Sequence, residues 1–160
     1  MQKHILSVLV ENQPGVLSRV AGLFSRRGYN IDSLSVGETE NPAFSRMTIV
    51  VHGDELTLEQ IKKQLGKLID VIKVIELKEE DAVQRELALV KVNADLKTRT
   101  SIIEVVAVFR AKVIDVSNES LTVEITGDKQ KIAAFIEIMK TYTIKEIVRT
   151  GLTAIGRSYI

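Results

Sequence analysis

The spacing of apolar residues changes period repeatedly along the chain, and each change predicts an element. Ile5 to Val10 is a short apolar run rich in β-branched residues, interrupted by Glu11-Asn12-Gln13-Pro14-Gly15, which predicts a strand and then a turn. From Pro14 the period becomes helical. Val16, Val20, Leu23 and Phe24 fall on one face, with Pro14 near the first turn and Gly28 as the stop. Tyr29 to Gly37 reads as a second strand and Phe44 to His52 as a third, with Asn41-Pro42 turning the chain between them. A second helix starts near Asp54 or Thr57, since Thr57 and Gln60 have capping-box form and Leu58, Ile61, Leu65 and Leu68 follow at helical spacing. Val71 to Leu77 completes a β-α-β-β-α-β order.

The charged stretch containing Lys78-Glu79-Glu80-Asp81 cannot continue a buried strand and predicts a boundary. Beyond it the same order returns. Glu86 to Asn93 is a strand, and Ser101 with Glu104 has capping-box form ahead of Ile102, Val105, Val106 and Phe109. Val113 to Val116 and Leu121 to Thr126 are strands. The second sets Leu121, Val123 and Ile125 against Thr122, Glu124 and Thr126, the alternation of an antiparallel strand with one wet face. Asp128 caps a helix carrying Ile132, Phe135, Ile136 and Met139, and Ile144 to Val148 is the last strand. The repeat is one of architecture, with no matching run of identities. These elements predict an α+β protein of two ferredoxin-like (βαββαβ) domains in tandem: residues 1–77, a charged linker at 78–84, and residues 85–160. Units of about 75 residues gain stability by association, so a free sheet face or edge is expected to pair with a second copy.

Composition narrows the partners. The 22 Lys and Arg nearly balance the 21 Asp and Glu, so no net field draws the chain to nucleic acid or to an acidic membrane. The absence of Cys removes disulfides, thiolate nucleophiles and Cys-based zinc sites, and suits a reducing, cytoplasmic compartment. The apolar stretch from Ile5 to Val10 is too short for a signal-peptide core or a membrane span.

Enzyme chemistry is sparse. His4 and His52 each lie at a predicted strand end without ligands at metal spacing, which reads as a surface or strand-end position for both. Nucleophile-elbow, zincin, phosphate-loop and dinucleotide patterns do not occur. Arg19, Arg26 and Arg27 read as a solvated face of the first helix sooner than an anion site. An RNA-binding sheet of this fold displays aromatic residues on its central strands, whereas this chain has no Trp and its Phe and Tyr fall mainly in helices or at strand ends.

The turn at Asn12 to Gly15 stands apart, because a strand there delivers the chain to a helix N-terminus that favours a carboxylate. Gly15 admits a ligand close to the backbone, and Asn12 and Asn30 each offer a donor and an acceptor. Two readings stand side by side. In one, these residues hold the polar end of an amino acid. In the other, Asn12 and Gly15 only make the turn and Asn30 only caps the helix end.

The stretches Ile5–Asn12, Pro14–Val20, Gly22–Ile31, Ser45–Thr48 and Lys63–Val71 resemble the regulatory small subunit of acetolactate synthase, and Gly22-Leu23-Phe24-Ser25-Arg26-Arg27-Gly28-Tyr29-Asn30-Ile31 carries most of that likeness. It continues through Arg85–Val92, Phe109-Arg110-Ala111, Ile114-Asp115-Val116 and Glu146–Gly151. The resemblance implies that the first domain is an ACT domain, a sensor of amino acids that also dimerises. It implies a non-catalytic chain that binds and activates a large catalytic subunit joining two pyruvates into 2-acetolactate. It further implies feedback inhibition by a branched-chain amino acid, usually valine. Thiamine diphosphate, magnesium and FAD are then expected on the large subunit and none on this chain. Carried over residue by residue, the effector site falls on Asn12, Gly15, Val16 and Leu17 of one protomer and on Asn30 and Ile31 of its neighbour. The lack of a transit peptide before Met1 fits a bacterial or archaeal cytoplasm better than a plastid. The alternative is a free-standing sensor of the same type acting on transcription or another enzyme, against which stands the lack of a basic recognition helix. An acylphosphatase-like hydrolase on this fold wants an Arg-bearing phosphate loop where this chain has Asn12-Gln13-Pro14-Gly15.

Overall fold

The computed structural model describes residues 2–158. The chain divides into two compact units, residues 2–84 with 152–158, and Arg85–Gly151.

In the first unit the elements are β1 (Gln2–Glu11), α1 (Val16–Arg27), β2 (Ile31–Glu38), β3 (Phe44–Gly53), α2 (Glu55–Gly66) and β4 (Val71–Leu77). The sheet order is β2-β3-β1-β4, and the pairings are antiparallel. Val16, Val20, Leu23 and Phe24 of α1 and Leu58, Ile61 and Leu65 of α2 pack on Leu6, Val8, Val10, Met47, Ile49 and Val51. The helical spacing read along the chain is therefore the spacing that the core uses. Gly28 ends α1 in the left-handed conformation (φ +71°), where its N–H and that of Tyr29 reach back to Ser25 and Phe24. The cap of α2 is Asp54, whose Oδ1 accepts the Thr57 N–H at 2.8 Å, so Thr57 is the residue capped and not the cap. That bond holds the Asp54 carboxyl below its ordinary value. A depressed folded value means that the cap stabilises above the ordinary carboxylate range and is lost as the pH falls through the folded value. Asp54→Ala should accordingly melt lower than wild type near neutral pH and converge with it in acid; parallel curves at every pH would count against this.

The second unit holds most of β5 (Ala82–Asn93), then α3 (Arg99–Val108), β6 (Lys112–Val116), β7 (Ser120–Gly127), α4 (Lys129–Met139) and β8 (Ile144–Arg149), in sheet order β6-β7-β5-β8. Its core joins Ile102 and Val106 of α3 and Ile132, Phe135 and Met139 of α4 to Ala88, Val90, Val92, Leu121, Val123 and Ile125. Asp128 caps α4 as expected, through the Lys131 N–H. The Ser101 capping box is not used. Helix α3 begins at Arg99, and Asp95 takes the N–H groups of Lys97 and Thr98 ahead of it.

Two boundaries differ from expectation. The segment 78–84 is not an open linker, since Glu79–Asp81 forms one 3₁₀ turn and β5 starts at Ala82. The end of the chain belongs with the first unit and not the second. A further strand, β9 (Thr153–Gly156), pairs with β5, and the Arg157 N–H donates to the Asp81 carbonyl. Leu152 and Ala154 close with Ala82 over Ile5, Val50 and Leu77, on the sheet face opposite α1 and α2. The second face of the first sheet is thus partly covered by its own chain.

Candidate functional site

Strand β1 ends at a turn clamped from both sides. The Glu11 N–H donates to the Asp70 carbonyl at 2.9 Å, the Asn12 N–H to Ala43 at 2.8 Å, and the Asn12 side-chain Nδ2 to Pro42 at 2.9 Å. Asn12 therefore does structural work through its NH₂, while its amide oxygen accepts nothing from the described residues. Gly15 follows with φ +86°, a conformation that side chains resist, and starts α1 without a side-chain cap or an acidic residue in the first turn. Two of the other three α-helices carry a carboxylate cap at this place, Asp54 and Asp128, whereas α3 has none and Asp95 bonds the N–H groups of Lys97 and Thr98 just ahead of it. In the first turn of α1 the Val16 N–H turns back to the Gln13 carbonyl at 3.4 Å, which leaves the N–H groups of Leu17 and Ser18 for an anion from outside.

Val16 is buried in the core, so its backbone and not its side chain faces that end, whereas Leu17 is half exposed. Arg19, one turn on, folds back over Gly15: a Cβ there would stand 3.0 Å from its Nη1. Its Nε donates to the buried carboxylate of Asp70, which keeps the guanidinium more firmly protonated than an ordinary arginine. Arg19 is thereby a cation held at the helix entrance, and its side chain stays half exposed on the solvated face that the sequence predicts. Sequence reading passed over Asp70, because the pair spans 51 residues and has no local signature. The one available signal was the placement of Arg19 four residues after Gly15. Gly15→Ala should cost about 1–2 kcal/mol of backbone strain and also push the arginine aside. Gly28→Ala costs strain alone, since nothing lies within 4 Å of its Cβ position. In thermal melts the Gly15 variant should be the less stable of the two, and the gap should close in an Arg19→Ala background.

Asn30 and Ile31 lie elsewhere. Ile31 pairs with Val51 of β3, whereas Glu11 pairs with Phe44, seven residues away on the same strand. At ~3.3 Å per residue the two groups are about 23 Å apart along the sheet. Within one chain the structure brings Asn12, Gly15, Val16 and Leu17 together and leaves Asn30 and Ile31 at the far end. Asn30 does not cap α1, because Gly28 and Tyr29 make the closing bonds. Its Nδ2 donates instead to Asp32 Oδ1 at 2.9 Å.

The histidines have protein partners. His4, read as a surface or strand-end residue, stands near the start of β1 and is buried, with Nε2 3.0 Å from the Gly53 carbonyl and Nδ1 beside Glu76; His52 pairs with Asp32. Among the described residues no three His, Cys, Asp or Glu are grouped to hold a metal ion, and no helix is long and apolar enough to cross a membrane. The second unit echoes the clamped turn, with Asn93 N–H to Thr143 and Ala94 N–H to Glu119. An open depression of about 360 Å³ lies beside it, lined by Asn93, Asp95, Thr98, Asn118, Glu119 and Tyr142 among others. There Asp95 lies just ahead of the helix, and the N–H bonds it accepts from Thr98 and Lys97 hold its carboxyl below the ordinary value.

Residues 6–73 match the family described as the AHAS small subunit-like ACT domain, and residues 85–158 match the small subunit of acetolactate synthase. The chain is 57% identical over 154 residues to the acetolactate synthase small subunit of Mycolicibacterium smegmatis, covering 96% of this chain and 91% of that one. It is 55% identical over 155 residues to the probable acetolactate synthase small subunit of Archaeoglobus fulgidus, covering 97% of each. The crystal structure of the Thermotoga maritima acetolactate synthase small subunit superposes on all of it with a TM-score of 0.94 at 46% identity. With the βαββαβ order of the first unit, these likenesses define a regulatory protein built on an ACT domain. The chain belongs to the acetolactate synthase small-subunit family, whose members are regulatory and non-catalytic.

Proposed function

We propose that this chain binds the large catalytic subunit of acetolactate synthase, raises its activity, and confers feedback inhibition by a branched-chain amino acid, valine first among them. The effector lies between the first units of two copies. Its carboxylate meets the N-terminus of α1 at Gly15, Val16 and Leu17, beside Asn12 and under Arg19, while Asn30 and Ile31 of the other copy receive its ammonium end. Thiamine diphosphate, magnesium and FAD stay with the catalytic subunit. The observation that carries this reading is the start of α1, which has a fixed cation and, after Val16, first-turn N–H groups with no protein acceptor, but no carboxylate of its own. The distance between the two residue groups along β3 supports a site shared by two copies, since one chain cannot bring both to one amino acid.

Reconstitution with a pyruvate-using catalytic subunit tests it. Acetolactate formation should rise when the chain is added, fall again with valine, and be absent for the chain alone. Failure to bind or activate the catalytic subunit would overturn the assignment and leave the free-standing sensor. Activation without any effect of valine, leucine or isoleucine would overturn the effector site alone.

A further inference from the structure

An asparagine at a binding site recognises opposite groups according to its orientation: outward oxygen accepts from an ammonium, outward NH₂ donates to a carboxylate. In the first unit that orientation is decided by the neighbours of Asn30. Its Nδ2 lies 2.9 Å from Asp32 Oδ1, and the other oxygen of Asp32 pairs with Nδ1 of His52. An ionised carboxylate only accepts, so Asn30 must turn its NH₂ toward Asp32 and its oxygen away. The oxygen accepts no bond from the described residues. Asp32 in turn is held by His52, which sits on the neighbouring strand β3.

The backbone prepares this arrangement. Ile31 pairs with Val51 and Ser33 with Val50, so Asp32 is the extra residue of a β-bulge, the device by which an edge strand re-aims a side chain. Both partners are partly shielded, with side-chain exposures of 29% for Asp32 and 39% for His52, so water does not fully screen the pair. We propose that Asp32, anchored by His52, is a positioning residue that fixes Asn30 with its carbonyl oxygen outward and so makes the site select the ammonium end of an α-amino acid. This rests on the effector reading given above.

The test compares two ligands that share a branched side chain and a carboxylate: valine, and 3-methylbutanoate, which lacks the ammonium. Calorimetric titrations use the full chain as wild type, Asp32→Asn and His52→Gln. Wild type should prefer valine by roughly a hundredfold, the scale of one hydrogen bond to a charged group. Asp32→Asn keeps size and shape but offers Asn30 either a donor or an acceptor. The preference should then fall about tenfold, mainly through weaker valine binding, with 3-methylbutanoate changed less than about twofold. His52→Gln should shift the ratio in the same direction by a smaller factor. Melting curves matching wild type verify that the variants fold. If Asp32→Asn weakens both ligands equally, or neither, the positioning role is wrong while valine binding by wild type keeps the effector site standing. If wild type binds no valine, both fall.

Discussion

Phe24→Ala is expected to lower the stability of the first unit by about 3–5 kcal/mol while sparing the second. Phe24 is 1% exposed on α1, closes the core against both sheet and helix, and meets the Tyr29 ring edge-on at 6.4 Å. Removing its ring leaves a cavity that Val20, Leu23 and the strand residues cannot refill, because they are themselves buried and packed. A small domain has only about 5–15 kcal/mol in hand, so this loss takes about a fifth of it or more. The cores are built from separate residues, Phe24 in one and Phe135, with its Phe109 partner, in the other. Native-state hydrogen exchange reads the difference directly. Amides of β1 and β3 should lose protection by about a hundredfold or more, and those of β5 beyond Arg85 and of β7 should keep theirs. Equal loss in both units would mean that they unfold as one and that separate cores do not make separate stabilities.

The features legible along the chain were those whose cause is local. Val16, Val20, Leu23 and Phe24 share a helical face because they are near neighbours in sequence, and all four are buried in the core they predict. Gly28 and Asp128 act within a turn of where they stand. The errors also have local explanations. Ser101 and Glu104 have the spacing of a capping box, but Asp95 reaches the amides of Lys97 and Thr98 first and starts the helix earlier. Strand β9 has four residues, too few for a pattern, and Leu152 just before it is buried in a cluster with residues far away in sequence, Ile5, Val50, Leu77 and Ala82. Of the site, the turn at Asn12 to Gly15 was readable and the pairing of Arg19 with Asp70 was not. The bulge at Asp32 did leave a trace. Ile31 and Leu34 both pack toward the first core at a spacing of three, where a regular strand would put them on opposite faces. That break in alternation is the sequence signature of the bulge that holds Asn30.

Asn30→Leu is expected to weaken valine binding by roughly ten- to a hundredfold, and leucine and isoleucine binding by a similar factor. The substitution nearly preserves side-chain volume and removes the oxygen assigned to the effector's ammonium. A hydrogen bond to a charged group is worth about 1.5–3 kcal/mol, and each ~1.4 kcal/mol is tenfold in affinity. Asn30 is exposed, so its loss opens no cavity. The partner it leaves, Asp32, keeps His52 and remains in reach of water. The fold should therefore tolerate the change, with a melting temperature close to wild type. The three branched-chain amino acids have the same ammonium and carboxylate and differ only in the hydrocarbon, so a variant that removes the ammonium's acceptor cannot rerank them. A variant that reshapes an apolar pocket does rerank them. Titration of the full chain with each ligand separates the cases. Uniform loss supports the acceptor role; unchanged affinity removes Asn30 from the site; and a changed order of valine, leucine and isoleucine places Asn30 against the effector's side chain instead of its charge.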